Sequence, residues 1–132
     1  MSDCVLDASA VLALLQAEPG HEIVQARVEQ GGCAISAVNL SEVLTRLIDW
    51  SMSAADAGVA VDALELDVAP FDEAAARACA ALRPITRPLG LSIGDRACLA
   101  LAQTMDMPAL TADRIWQQLD CGVRIELIRP AA

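Results

Sequence analysis

The sequence predicts an α/β protein in which a central, mostly parallel sheet of four to five short strands lies between two layers of helices. Short apolar segments alternate along the chain with segments of helical periodicity, which is the pattern of a parallel sheet covered on both faces. Hydrophobic residues make up 55% of the 132 residues, so a substantial core is feasible. No linker or repeat interrupts the pattern, and we expect residues 1–132 to form a single domain.

Five apolar segments are predicted to be strands. They are Cys4–Leu6, Cys33–Ser36, Leu66–Ala69, Ala109–Thr111 and Gly122–Ile128. The first, second and fourth are short apolar runs, as expected for strands buried on both faces.

Helices are predicted between these strands. They cover Ser9–Ala17, Glu22–Gln30, a segment from Val38 onward, Ser53–Leu66, Asp72–Leu82, Ser92 to about Met105, and Asp113–Leu119. The segment from Val38 has the clearest signal, because its apolar residues follow the i, i+3, i+4 spacing of a helix that faces a core. Pro84 to Gly90 contains two prolines and a glycine and is predicted to be a loop.

The charge composition excludes several functional classes. The net charge is −9, and all nine basic residues are arginine. An acidic surface does not favour a general nucleic-acid coating protein, and the absence of lysine excludes a P-loop enzyme. A phosphotransfer domain is the weakest alternative, because such domains depend on a lysine beside the phosphorylated aspartate. Five scattered cysteines without a C-x-x-C pair indicate reduced core thiols. We also expect a cytoplasmic protein without membrane association, because no long apolar run or signal pattern occurs.

Four acidic residues occur where parallel strands end or where helices begin. Asp7 ends the first strand, and Asp113 lies two residues past the fourth. Glu42 lies in the first turns of the helix after the second strand, and Asp95 in the first turn of the helix that precedes the fourth. Because ligands bind beyond the carboxyl ends of parallel strands, we expect the four carboxylates to form one acidic pocket.

Each acid also has a purely structural interpretation. Asp7 is a possible N-cap, and Asp113 a possible complement to the positive end of its helix. Glu42 stands three residues after Asn39, a loose capping-box spacing, and four before Arg46, with which it could form a surface ion pair. Asp95 follows Ser92 at capping-box spacing. Asp95 is nevertheless the hardest to explain in this way, since it shares a helix face with apolar residues, where a carboxylate is costly unless it is compensated.

A divalent cation would relieve the repulsion among these carboxylates. Hard oxygen ligands favour Mg²⁺, with Mn²⁺ as a substitute. Asp7, Asp95 and Asp113 are the predicted metal ligands, and Glu42 is predicted to complete the metal shell or to orient a water molecule. Such a site can activate water for phosphodiester cleavage. Two neighbouring hydroxyl residues are predicted to support the acids by hydrogen bonding, Ser9 and Thr111.

Four segments of the chain resemble PIN-domain ribonucleases, in particular the VapC-type toxins of toxin–antitoxin pairs. They are V-L-D-A-S-A (5–10), S-A-V-N-L-S-E-V (36–43), L-S-I-G-D-R-A-C-L-A-L-A (91–102) and L-T-A-D-R-I-W (110–116). The segments come in the family's order and span nearly the whole chain. By position, the family's four catalytic acids match Asp7, Glu42, Asp95 and Asp113, and its small hydroxyl matches Ser9. Arg96 stands where alanine is common in the family.

The resemblance implies a parallel α/β/α fold and a Mg²⁺-dependent endoribonuclease that is inhibited by a cognate antitoxin protein. It also implies a homodimer that contacts operator DNA only through the antitoxin. A net charge of −9 means that local arginines must contact the RNA phosphates. The candidates are Arg46, Arg87, Arg96 and Arg114, each of which has an ion pair with a neighbouring acid as its alternative role.

Two other functions stay open at this point. One is a catalytically silent PIN-like module that binds proteins, although the presence of all four acids argues against it. The other is a DNA-cutting relative, because metal-assisted hydrolysis does not by itself distinguish RNA from DNA.

Overall fold

The computed structural model of the protein describes residues 3–129. Five strands form one parallel sheet in the order β3-β2-β1-β4-β5. The strands are β1 (Cys4–Leu6), β2 (Cys33–Ser36), β3 (Asp67–Ala69), β4 (Ala109–Thr111) and β5 (Ile125–Leu127). The predicted fold class and all five strands are confirmed, although β3 and β5 are shorter than predicted.

Seven α-helices connect the strands in residues 3–129. They are α1 (Ala8–Leu15), α2 (His21–Gln30), α3 (Ala37–Asp49), α4 (Ala54–Asp62), α5 (Glu73–Ala81), α6 (Arg83–Thr86) and α7 (Ile93–Met105). Two 3₁₀-helices cover Arg87–Leu89 and Arg114–Gln118. The helix predicted at Ser53–Leu66 ends earlier, at Asp62, and the one predicted at Asp113–Leu119 is the second 3₁₀-helix.

The prediction of a loop at Pro84–Gly90 was wrong. This segment continues as α6 and the first 3₁₀-helix, and it ends at Gly90 with a φ of 69°. Each proline stands in the first turn of its short helix, where the missing N–H would have no intrahelical partner. The buried Thr86 hydroxyl also donates to Leu82 O at 2.8 Å, which satisfies a carbonyl at the preceding helix end.

Side chains alternate across the strands and build a core on each face of the sheet. Leu6, Ile35 and Leu110 point to the face covered by α1 to α4. Val5, Ala34 and Ala109 point to the face covered by α5 and α7. This alternation is the period-two pattern of a strand, and it accounts for the three-layer α/β/α arrangement.

All strands run in the same direction, so their carboxyl ends share one edge of the sheet. Asp7 follows β1 there, Ser36 ends β2 and Thr111 ends β4. The helices α1 and α3 begin at this edge, directly after the strands that precede them. No helix within residues 3–129 has the length and apolar character needed to cross a membrane. The single domain over residues 1–132 stays a prediction.

Candidate active site

Asp7 is the buried carboxylate of the sheet edge. Its residue is only 4% exposed, and it is the N-cap of α1, since Oδ1 accepts from Ala10 N at 2.8 Å. Ser9 Oγ donates to the same oxygen at 2.7 Å, and Thr111 Oγ1 donates to Oδ2 at 2.6 Å. Burial raises the pKa of Asp7 to about 6, although these three donors lower it and the charge of Asp95 raises it further.

The hydroxyls of Ser9 and Thr111 join the ends of β1 and β4. Ser9 Oγ accepts from Ala112 N at 2.9 Å, and Thr111 Oγ1 accepts from Asp113 N at 3.0 Å. Asp113 itself is exposed and caps the following 3₁₀-helix, with Oδ1 accepting from Ile115 N at 3.1 Å. The structure therefore places both predicted hydroxyls against Asp7 and connects Asp113 to it through one of them.

Asp95 occupies the third position of α7 in a complete capping box. Ser92 Oγ accepts from Asp95 N at 3.2 Å, and Asp95 Oδ2 accepts from Ser92 N at 2.9 Å. The structural interpretation of Asp95 is thus confirmed, and the expectation that its side chain resists a capping explanation was wrong. Asp7 is instead the carboxylate whose burial needs compensation. A carboxylate in a helix's first turn also gains from the helix dipole.

Glu42 lies on α3 and is held in place although its residue is exposed. Asn39 Nδ2 donates to Glu42 Oε1 at 2.8 Å and to Gly94 O at 2.9 Å. The same Asn39 side chain therefore links α3 to the first turn of α7, next to Asp95. The ion pair with Arg46, one structural alternative for Glu42, is not formed among the described residues.

The pKa of the buried Cys98 thiol is affected by the charges of three of the four acids. Burial raises its pKa well above the usual value, and the negative charges of Asp7, Asp95 and Glu42 raise it further, in that order. Cys98 is fully buried on α7, one turn beyond Asp95. Asn39 links Glu42 to the first turn of α7, which carries Asp95, and Asp7 directly follows β1, so the three acids lie at the carboxyl edge of the sheet.

The acids supply the hard oxygen ligands that Mg²⁺ or Mn²⁺ prefers, but their side chains are not arranged as a coordination site in this structure. No group of three or more acidic, histidine or cysteine side chains in residues 3–129 is arranged to hold a metal ion. Each acid nevertheless keeps unused oxygen lone pairs after its protein hydrogen bonds. Within the same range, Glu42 Oε2, Asp95 Oδ1 and Asp113 Oδ2 accept no hydrogen bond, and Asp7 Oδ2 accepts one. Free carboxylate oxygens are the ligands that Mg²⁺ and Mn²⁺ prefer.

The four candidate phosphate-binding arginines differ in their surroundings. Arg46 lines a groove together with Glu42 and Ser9. Arg96 is turned toward α5 instead, where its Nη1 donates to Cys79 O at 3.3 Å. Arg87 and Arg114 are exposed on the two 3₁₀-helices. Arg46 is therefore the candidate that shares a groove with one of the acids.

The sequence-based interpretation gave Asn39 only a capping role beside Glu42 and did not assign Gly94 to this site. Both carry a recognisable signal: Asn39 precedes Glu42 by one helical turn, and Gly94 is a glycine inside a helix, where a packing reason is expected. It also missed Trp50, which lies two turns beyond Glu42 and lines the same groove as Arg46.

Comparison with protein families supports what the fold and the acids indicate. The chain matches the PIN domain family over residues 4–120. The chain belongs to the PIN domain family. This match includes all four acids and both hydroxyls of the PIN site. A search of curated protein sequences found no significant match.

Solved structures with the same fold include several toxin–antitoxin proteins. DNA-bound VapBC from Salmonella typhimurium is 20% identical with a TM-score of 0.76, covering 97% of this chain and 99% of that one. VapBC-5 from Mycobacterium tuberculosis is 25% identical with a TM-score of 0.62, covering 98% and 100%. VapC20 from the same organism, a toxin that cleaves the sarcin–ricin loop, is 17% identical with a TM-score of 0.69, covering 92% and 99%. At 17 and 20% identity the likeness shows the fold alone.

Proposed function

We propose that this PIN-domain chain is a Mg²⁺-dependent endoribonuclease, with Mn²⁺ as a substitute, and the toxin of a toxin–antitoxin pair. The observation that carries the proposal is the acidic edge of the sheet, where Ser9 and Thr111 hold the buried Asp7 carboxylate and Asn39 links Glu42 to the first turn of the helix that carries Asp95. The structural similarity of the chain to VapBC complexes and to a toxin that cleaves the sarcin–ricin loop supports an RNA substrate and an antitoxin partner.

Asp7, Asp95 and Asp113 are the residues that would hold the cation, and Glu42 would complete its shell or orient a water molecule. When bound, the cation would supply a nucleophilic water at neutral pH and neutralise charge on the phosphate. Four carboxylates alone would repel an RNA phosphate, and a bound cation at the acids and an arginine beyond them would each offset this repulsion.

The chain's own residues prepare Asp7 for this role. Ser9 and Thr111 donate to opposite oxygens, which fixes the plane of the carboxylate. Their hydrogen bonds favour the charged form and oppose the effect of burial, and the resulting pKa of about 6 leaves Asp7 largely ionised at neutral pH. A fixed, charged oxygen ligand lowers the reorganisation needed when substrate binds.

Asn39 performs the corresponding task for Glu42. Its amide donates to Glu42 Oε1 and leaves Oε2 free to accept from a water molecule. Since Asn39 also donates to Gly94 O, the carboxylate is fixed relative to the helix that carries Asp95. Asn39 is therefore a positioning residue for the proposed reaction.

The proposal is tested by incubating the purified chain with single-stranded RNA and DNA of the same sequence in Mg²⁺, Mn²⁺ or EDTA. We expect RNA cleavage with either metal and none in EDTA. Asp7→Asn and Asp95→Asn should lose cleavage and remain folded. Asp106→Asn is the matched control, because Asp106 caps the opposite end of α7, about 16 Å from Asp95 along the helix axis.

Three results would contradict the proposal in different ways. Cleavage that persists in EDTA or in Asp7→Asn would exclude the metal mechanism. Cleavage of DNA but not RNA would identify a DNA-cutting relative. If the chain neither cleaves RNA nor takes up Mg²⁺ or Mn²⁺ in a calorimetric titration, a silent protein-binding module is the better description.

The partner proposals need separate measurements. We propose a cognate antitoxin, a homodimer, and contact with operator DNA only through the antitoxin. Co-expression with the protein encoded by the neighbouring gene should yield a stable complex that no longer cleaves RNA. Light scattering of the isolated chain should give the mass of a dimer. A monomer, or a free chain that binds DNA duplexes, would contradict these expectations.

A further inference from the structure

One face of α3 carries three functional groups in a row. Glu42, Arg46 and Trp50 are spaced four residues apart, which places them on the same side of the helix. All three line a groove of about 310 Å³, together with Ser9, Leu12 and the ion-paired Glu18 and Arg129. Because the Ser9 hydroxyl also donates to Asp7, the groove begins at the candidate active site and extends along α3.

Arg46 brings a positive charge into this groove without a carboxylate partner. Arg27 and Arg129 form ion pairs with Glu126 and Glu18. No acidic side chain in the described part of the chain lies within ion-pair distance of Arg46. Its guanidinium instead lies over the ring of Trp50, with Cζ 5.7 Å from the ring centroid. In a chain of net charge −9, this arginine is available to an anion.

Trp50 is the exposed member of a very small aromatic set. The chain contains two tryptophans, one phenylalanine and no tyrosine. Trp116 is fully buried, whereas Trp50 is 46% exposed at the C-cap of α3. Exposure of a large indole beside an unpaired arginine and a catalytic acid is not explained by packing. An exposed aromatic face next to a cation is the arrangement that binds single-stranded nucleic acid.

We propose that Trp50 and Arg46 form a subsite for single-stranded RNA, in which Trp50 stacks on an unpaired base and Arg46 contacts a neighbouring phosphate. The proposal rests on the proposed ribonuclease function and assigns part of its substrate contact. Trp50 lies about 12 Å beyond Glu42 along the helix axis. The stacked base is therefore a few nucleotides from the phosphate that is cleaved.

The subsite is tested by binding rather than by cleavage. Fluorescein-labelled oligouridylate and oligoadenylate are titrated with protein in EDTA, so that the RNA stays intact, and anisotropy gives the dissociation constant. Trp50→Ala should weaken binding at least fivefold, since stacking of one base contributes about 1–3 kcal/mol. Trp50→Phe keeps an aromatic ring and should retain most of the affinity.

The contribution of Arg46 is measured through the salt dependence of RNA binding. Loss of one phosphate contact in Arg46→Gln should lower the slope of log K against log salt concentration by about 0.7. The matched controls are Ile23→Ala, an exposed apolar residue on α2, and Arg77→Gln, an exposed arginine on α5. Both should bind RNA like the wild type.

A spectroscopic measurement keeps the test independent of how well Trp50→Ala folds. In Trp116→Phe, Trp50 is the sole tryptophan, and its emission should be quenched when unlabelled oligouridylate stacks on it. Absence of quenching, or wild-type affinity and salt slope in Trp50→Ala and Arg46→Gln, would overturn the subsite.

Two further outcomes separate this proposal from others. If Trp50→Ala binds RNA normally but loses a co-expressed inhibitor protein, the groove is a protein-docking surface and the subsite is wrong. If quenching and the Trp50 effect are observed but the wild type does not cleave RNA in Mg²⁺ or Mn²⁺, the ribonuclease function fails while the RNA subsite stands.

Discussion

The carboxylate of Glu42 occupies the space that a side chain at Gly94 would need. A Cβ at Gly94 would lie 2.6 Å from Glu42 Cδ, well inside van der Waals contact. Asn39 completes the arrangement by donating to Glu42 Oε1 and to Gly94 O. The glycine is required for space rather than for backbone conformation, because its φ is not in the left-handed region. Close contact between α3 and α7 thus places Glu42 next to the helix that carries Asp95.

Gly94→Ala is expected to displace the Glu42 carboxylate and to break its bond with Asn39. Because the clash is with the end of an exposed, flexible side chain that can turn away, the free energy of unfolding should change by less than about 1 kcal/mol, whereas RNA cleavage should fall because Glu42 is displaced. Gly58→Ala is the matched control, since nothing lies within 4 Å of a Cβ there and the helix of α4 should gain about 0.5–1 kcal/mol. Urea unfolding measures both. Wild-type RNA cleavage in Gly94→Ala would contradict this account of the glycine.

Asn39→Asp keeps the size of the side chain but removes the donor and adds a charge beside Glu42. The buried position of Asn39, 1% exposed, makes this change costly. We expect a loss of about 2–4 kcal/mol at neutral pH. At about pH 4 the new carboxyl is largely protonated and can donate again, so the loss should shrink. Urea unfolding of variant and wild type at both pH values checks this, and a loss independent of pH would contradict it.

Asp7→Asn should make the protein more stable and inactive. Since burial raises the pKa of Asp7 from 3.8 to about 6, the folded protein keeps a proton there that the unfolded chain has lost. Protonation of Asp7 therefore contributes about 3 kcal/mol to the free energy of unfolding below about pH 4. This contribution is lost as the pH rises through about 6. The neutral asparagine has no such dependence.

The measurement for Asp7→Asn is urea unfolding from about pH 4 to 8, with the variant subtracted from the wild type so that other titrating groups cancel. The difference should grow in favour of the variant as pH rises. A constant difference, or a wild type that gains stability relative to the variant, would show that Asp7 is not a strained buried carboxylate.

Thr111→Val removes one hydroxyl and keeps the shape of the side chain. Asp7 Oδ2 loses its 2.6 Å donor and Asp113 N loses its acceptor. We expect a loss of about 1–3 kcal/mol, largest above about pH 6, where Asp7 is charged. The pKa of Asp7 should rise further, so the acid limb of the pH–rate profile for RNA cleavage should move to higher pH.

Thr111→Ser keeps the hydroxyl and serves as the control for this prediction. It should retain the pH profile of the wild type, with a small loss of stability from the missing methyl group. If Thr111→Val and Thr111→Ser have the same pH profile, the hydroxyl does not set the ionisation of Asp7.

The sequence by itself determined the α/β/α fold and most of its element boundaries. Strands such as Cys4–Leu6, Cys33–Ser36 and Ala109–Thr111 were predicted at their observed bounds. Their hydrophobicity is continuous because they are buried on both faces, and that signal is local to each segment. The four segments typical of the PIN family also identified Asp7, Glu42, Asp95 and Asp113 as candidates. The PIN match over residues 4–120 confirms the family, while the catalytic roles stay proposals.

Only the tertiary structure decided the state of each acid. Asp95 was expected to be the carboxylate that needs compensation, but it accepts a hydrogen bond in its capping box. Asp7 is instead the buried carboxylate, and it accepts a hydrogen bond from Thr111. The fit of Glu42 against Gly94 depends on the packing of α3 on α7, between residues that are far apart in sequence. Periodicity reports which face of one element is apolar. Burial, pKa and hydrogen bonding depend on which other elements cover that face, and this is decided when the helices pack.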